Sequence, residues 1–85
     1  MKELEIFASR VHALRKKSGL SQKDLGDAIG LSHKAISTIE SGSRTTTLEK
    51  LIALAQFFQV STDYLLGLRD GPGTDSEGQE EKAGD

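Results

Sequence analysis

Between Ser32 and Thr38, five side chains with hydrogen-bonding capacity, Ser32, His33, Lys34, Ser37 and Thr38, are interleaved with the apolar Ala35 and Ile36. The chemistry open to such a set is recognition. The Lys ammonium only donates, the His ring donates or accepts according to its protonation, and the hydroxyls do both. Bond-making chemistry finds less support. The chain has no cysteine, which excludes a thiolate nucleophile, a thiolate zinc site and a disulfide framework. Its two histidines, His12 and His33, fall short of a metal set, and His12 reads as a surface residue. No nucleophile–base pair, paired carboxylate or phosphate-cradling loop stands at workable spacing. No metal, cofactor or catalytic residue is therefore assigned.

The elements that must position this polar set are helices. Apolar residues recur at helical spacing in five segments divided by turn signals, without sustained alternation of period two, so the expected class is all-α. A first helix is expected over about Lys2 to Lys17, with Phe7, Val11 and Leu14 on one face, basic residues in its last turn, and Ser18-Gly19 as its stop. Ser21 is placed to cap a second helix, with Asp24 completing a capping-box pattern and Leu25, Ala28 and Ile29 facing inward. Gly30 closes it. Ser32 then caps a third helix to about Glu40, with Ala35, Ile36 and Ile39 inward and the five polar side chains around its outer face. Thr46 and Glu49 read as the capping box of a fourth helix, whose Leu48, Leu51, Ile52, Leu54, Ala55 and Phe58 make it the expected main contributor to the core. A short fifth helix runs from Ser61 or Thr62 to Leu66.

The formal net charge of −2 divides unevenly. Up to Arg69, ten Lys and Arg face seven Asp and Glu, a net +3; from Asp70 onward one Lys faces six acids, a net −5. The last sixteen residues hold one apolar side chain, Ala83, and four glycines. Such a composition cannot offset the entropy of ordering, so residues 70–85 are expected to form a disordered acidic tail behind a domain over 1–69. That tail either solvates the protein or competes with an anionic partner for a basic face. No apolar run reaches the ~18 residues of a membrane span, and a signal peptide is not evident, so a cytoplasmic protein is the expectation.

The turn at Ile29-Gly30-Leu31 joins two short helices, and Gly26 lets them approach closely despite the ~1 kcal/mol a helical glycine costs relative to Ala. Gln22, Gly26, Gly30, Ile36 and Ile39 match, in type and spacing, the helix-turn-helix of the phage-repressor-like (Cro/C1, or XRE) family. The segments Leu20 to Leu25, Ile36 to Gly42 and Val60 to Leu66 are similar to it as well, so that the resemblance covers about residues 4–67.

The resemblance implies a compact five-helix, lambda-repressor-like domain that binds double-stranded DNA and regulates transcription, most often as a repressor. It implies that the third helix enters the major groove, with Ser32, His33, Lys34, Ser37 and Thr38 reaching base edges. Lys34 would donate to guanine O6 and N7, and the Thr38 methyl would pack on a thymine methyl. The long amides more usual in the family at these positions are absent, so no preferred base sequence follows. Gln22, Lys23, Ser41 and Arg44 are the implied contacts to the DNA backbone, which fix register rather than sequence. Arg15 and Glu40 occupy positions that form an ion pair in related repressors; two solvated charges are the alternative. Paired half-sites call for a homodimer, for which Val60, Tyr64, Leu65, Leu66 and Leu68 are the candidates unless they complete the core. The competing reading is an antitoxin or adaptor that acts mainly through a protein partner.

Overall fold

The structure, a computed structural model, describes residues 2–71. The expectation for the acidic tail therefore lies, beyond Gly71, outside the described residues. Five helices follow one another: α1 (Lys2–Lys17), α2 (Gln22–Ile29), α3 (His33–Glu40), α4 (Leu48–Phe58) and α5 (Thr62–Leu66). There is no strand among the described residues. None of these helices is long and apolar enough to cross a membrane.

Local sequence explains where each helix begins. Ser21, Ser32, Thr47 and Ser61 each sit in extended backbone and accept, through the side-chain hydroxyl, the N–H three residues on. Such a bond satisfies one of the four orphan donors of a helix start and contributes about 1 kcal/mol. In α1 the charges do comparable work, with Glu3 and Glu5 in the first turn and Arg15, Lys16 and Lys17 in the last.

The fourth cap differs from the sequence expectation. In the run Thr45-Thr46-Thr47, Thr47 rather than Thr46 caps α4, accepting from the Lys50 N–H at 3.2 Å. This start puts Lys50 in the first turn of α4, where its Nζ reaches the Ile29 carbonyl at 2.8 Å and closes the C-terminal end of α2.

One core unites the five helices. Val11, Leu25, Ile36, Leu54 and Leu65 are fully buried, with Phe7, Ile29, Ile39, Ala55 and Val60 around them. Each large side chain removed from water in this way contributes about 1.5–3 kcal/mol. Two features of the apolar pattern do not carry over. Ala28, although on a helical apolar spacing, faces solvent. Helix α4 is not the dominant source of core: it buries Leu54 and Ala55, but Leu48 is 72% exposed and Ile52 42%.

Candidate nucleic-acid interface

The α2–α3 unit is fixed by backbone geometry at the turn. Gly30 adopts φ 80° and donates its N–H to the Gly26 carbonyl, which also accepts the Leu31 N–H at 2.8 Å. A side chain at Gly26 would collide with the Leu31 carbonyl oxygen and lie 3.2 Å from its carbon, so the helix must run bare where the chain folds back over it. The close approach is therefore helix to turn backbone. At the other end of α2 the capping box is complete: Ser21 Oγ accepts the Asp24 N–H at 2.9 Å, and Asp24 Oδ2 accepts the Ser21 N–H at 3.1 Å. Those bonds from Ser21, the backbone N–H first, hold the Asp24 carboxyl below the usual carboxylate range.

With Ile36 and Ile39 buried, α3 turns the polar residues of its first turn outward. His33 and Lys34 are exposed at its first turn. The Ser32 hydroxyl accepts the Ala35 N–H at 3.0 Å, so its oxygen is already engaged in capping. Thr38 is half-buried and donates its hydroxyl to the Ala35 carbonyl at 2.9 Å, leaving an oxygen that accepts and a methyl group. Ser37 is half-buried. Just beyond α3, Ser41 donates to the Thr38 carbonyl at 3.0 Å and pairs with the Ser43 hydroxyl at 2.8 Å, and Arg44 is exposed.

At the head of α2 the structure brings together residues far apart in the chain. Arg15 Nε donates to Glu40 Oε2 at 2.6 Å and Arg15 Nη2 to Glu40 Oε1 at 3.0 Å, a two-point pair whose side chains are 9% and 4% exposed. The third arm of the guanidinium, Nη1, holds the Leu20 carbonyl at 2.7 Å. Gln22 Nε2 and His12 Nδ1 complete the set around Glu40, at 3.2 and 2.9 Å. Burial works against the Glu40 charge, yet the donors Arg15, His12 and Gln22 outweigh it and hold the carboxyl below its ordinary range. The bond to Glu40 raises the Arg15 guanidinium further above its already high value. His12, read as a bare surface residue, is the member sequence reasoning missed; a partner 28 residues away leaves no local signal. Lys23, placed for backbone contact, forms an exposed i,i+4 pair with Asp27 at 2.8 Å, an interaction weak enough to exchange for another anion.

The residues considered for a subunit interface divide. Val60 and Leu65 belong to the core of this chain, 8% and 0% exposed. Tyr64 lies under the Arg10 guanidinium, 4.2 Å from its ring centre, and Leu66 is half-buried. Leu68 is 66% exposed. Leu48 and Ile52, one turn apart on α4, and Phe57 are the exposed apolar residues that the sequence reading had placed inside or passed over.

Comparison with known proteins fits this geometry. A helix-turn-helix family model matches residues 11–65. Among curated proteins, 67 residues are 36% identical to the uncharacterized HTH-type transcriptional regulator YobD of Bacillus subtilis, covering 79% of this chain and 60% of YobD. A further 62-residue match is 39% identical to the repressor protein C2 of Salmonella phage P22, covering 73% of this chain and 29% of C2. This chain thus corresponds to part of those longer proteins. Among solved structures, the P22 c2 repressor in complex with a synthetic operator superposes with a TM-score of 0.68 at 40% identity, over 71% of this chain and 91% of that one. The restriction–modification controller protein C.AhdI of Aeromonas hydrophila gives a TM-score of 0.69 at 29% identity, over 76% and 98%. The chain belongs to the helix-turn-helix family of the Cro/C1 (XRE) type, a family of DNA-binding transcription regulators.

Proposed function

We propose that this protein is a sequence-specific DNA-binding repressor that reads the major groove with α3 and binds its operator as a homodimer. The observation that carries the reading is the α2–α3 unit itself. Its turn is closed by Gly26 and Gly30, and its second helix is capped by Ser32 so that His33 and Lys34 project from the first turn into solvent. A helix held in this way by its neighbour presents base-reading side chains from its N-terminal half. The likeness to a repressor solved on operator DNA supports it.

Within that surface, Lys34 donates to guanine acceptors and His33 donates or accepts, while Thr38 offers its methyl to thymine. Gln22, Lys23, Ser41 and Arg44 contact phosphates and set the register. Half-sites about 34 Å apart require two copies related by a two-fold axis. Leu48 and Ile52 on α4, rather than the buried Val60 and Leu65, supply apolar surface for the second copy.

The test is a binding titration against the duplex that the protein enriches from a random-sequence pool, with unrelated DNA as competitor and salt varied. Binding should weaken steeply with salt. Lys34→Ala should lose about 1–3 kcal/mol of discrimination at the positions it reads while retaining most non-specific affinity. A protein that enriches no duplex at any salt would refute the reading.

A further inference from the structure

Three donors converge on one oxygen at the head of α2. Glu40 Oε1 meets His12 Nδ1 at 2.9 Å, Arg15 Nη2 at 3.0 Å and Gln22 Nε2 at 3.2 Å, whereas Oε2 takes only Arg15 Nε among these. A carboxylate oxygen offers two lone pairs, so the longest of the three bonds, from Gln22, is the one most easily displaced. Gln22 is the first residue of α2, where its backbone N–H and that of Lys23 have no acceptor within the helix. Its amide is thus poised between the buried charge of Glu40 and the place where a phosphate would meet the helix start.

We propose that His12 is a positioning residue for a DNA-phosphate contact at Gln22, acting through Glu40. The proposal rests on the reading of α2–α3 as a DNA interface. A protonated His12 ring donates more strongly to Oε1 and compensates the Glu40 charge, which frees the Gln22 amide for an anion and makes the helix start more attractive to one. A neutral ring leaves Gln22 more firmly held and Glu40 less compensated. The charged groups facing the ring are Glu40, from α3, and Arg15, from α1 itself, whose Nη2 lies 3.4 Å from Nδ1; Gln22, from α2, is uncharged. The His12 side chain is 52% exposed, so solvent reaches it for proton exchange. Protonation of the ring therefore strengthens DNA binding, so affinity rises on acidification.

The experiment uses the full chain and the enriched duplex at constant ionic strength, from pH 8 to pH 6. It compares the wild type with His12→Gln, His33→Gln and Gln22→Ala, each checked for an unchanged Tm. Wild-type binding should strengthen about two- to fivefold on acidification, the size of an exposed charge interaction. His12→Gln and Gln22→Ala should flatten that dependence, whereas His33→Gln, which removes any share contributed by the base-reading face, should leave the part that runs through His12. A dependence that survives undiminished in His12→Gln, or that vanishes only with His33, overturns the proposal. If Gln22→Ala binds the duplex as the wild type does, the DNA reading stands and the role of His12 falls. If no duplex is enriched, both fall.

Discussion

Helices α3 and α4 differ in apolar content, three of eight residues against eight of eleven, yet it is the apolar-rich helix that leaves more of its apolar surface in water. In α3 both isoleucines are buried, Glu40 is held by Arg15, and His33 and Lys34 project outward. In α4, Leu54 and Ala55 are buried while Leu48 and Ile52 stand in water. The first helix is complete within the monomer and offers a polar partner a hydrogen-bonding face. The second is incomplete, and the surface it leaves is of the kind that another apolar surface covers. Under the proposed function, reading a site and pairing across it fall to different helices of one small chain.

The most disruptive way to break that comparison is at the support under α3. Arg15→Ala leaves the Glu40 carboxylate buried without its main partner and should cost about 3–5 kcal/mol, read as a fall in Tm or denaturation midpoint. The same pair sets an acid limit. Because Glu40 titrates below its ordinary value in the folded protein, its contribution is fully present above the unfolded glutamate pKa of about 4.3 and is lost as pH falls through the lower folded value. Acid unfolding of Glu40→Gln should consequently show a weaker pH dependence than the wild type. On α4, Ile52→Asp should leave the monomer folded, since the site is 42% exposed, but shift the monomer–dimer equilibrium toward monomer by about tenfold or more, as sedimentation would report. The smallest effect is at a cap: Ser21→Ala removes half of the capping box and should cost about 1 kcal/mol with little change in α3.

Much of this was legible in the sequence because it is local. Ser21 and Ser32 sit one residue before their helices, and Gly26 and Gly30 occupy positions whose backbone demands are visible from the turn alone. The Arg15–Glu40 pair was reached by resemblance, since a contact over 25 residues has no periodic signature. What escaped was decided by competition between equals or by distance. Three adjacent threonines can each cap, and nothing in their local sequence distinguishes Thr47, the one that accepts the Lys50 N–H. Apolar spacing cannot tell a core residue from one awaiting a partner, which is why Leu48, expected in the core, is exposed and Leu65, a candidate for the subunit interface, is fully buried. His12 was invisible as a participant because its partner comes from another helix.

Arg10 carries a consequence for the order of folding. Its guanidinium donates to the carbonyls of Tyr64 and Arg69 at 2.5 and 2.9 Å, tying residues 54 and 59 positions apart. Closing a loop of that length costs conformational entropy that neighbouring contacts, such as those within α2–α3, do not incur. The fastening of α5 and its following residues onto α1 is therefore expected to come late in assembly and to open early. Native-state amide exchange should find α5 opening at lower free energy than the core of α2 and α3, so that the recognition unit persists after the chain's C-terminal end has come loose.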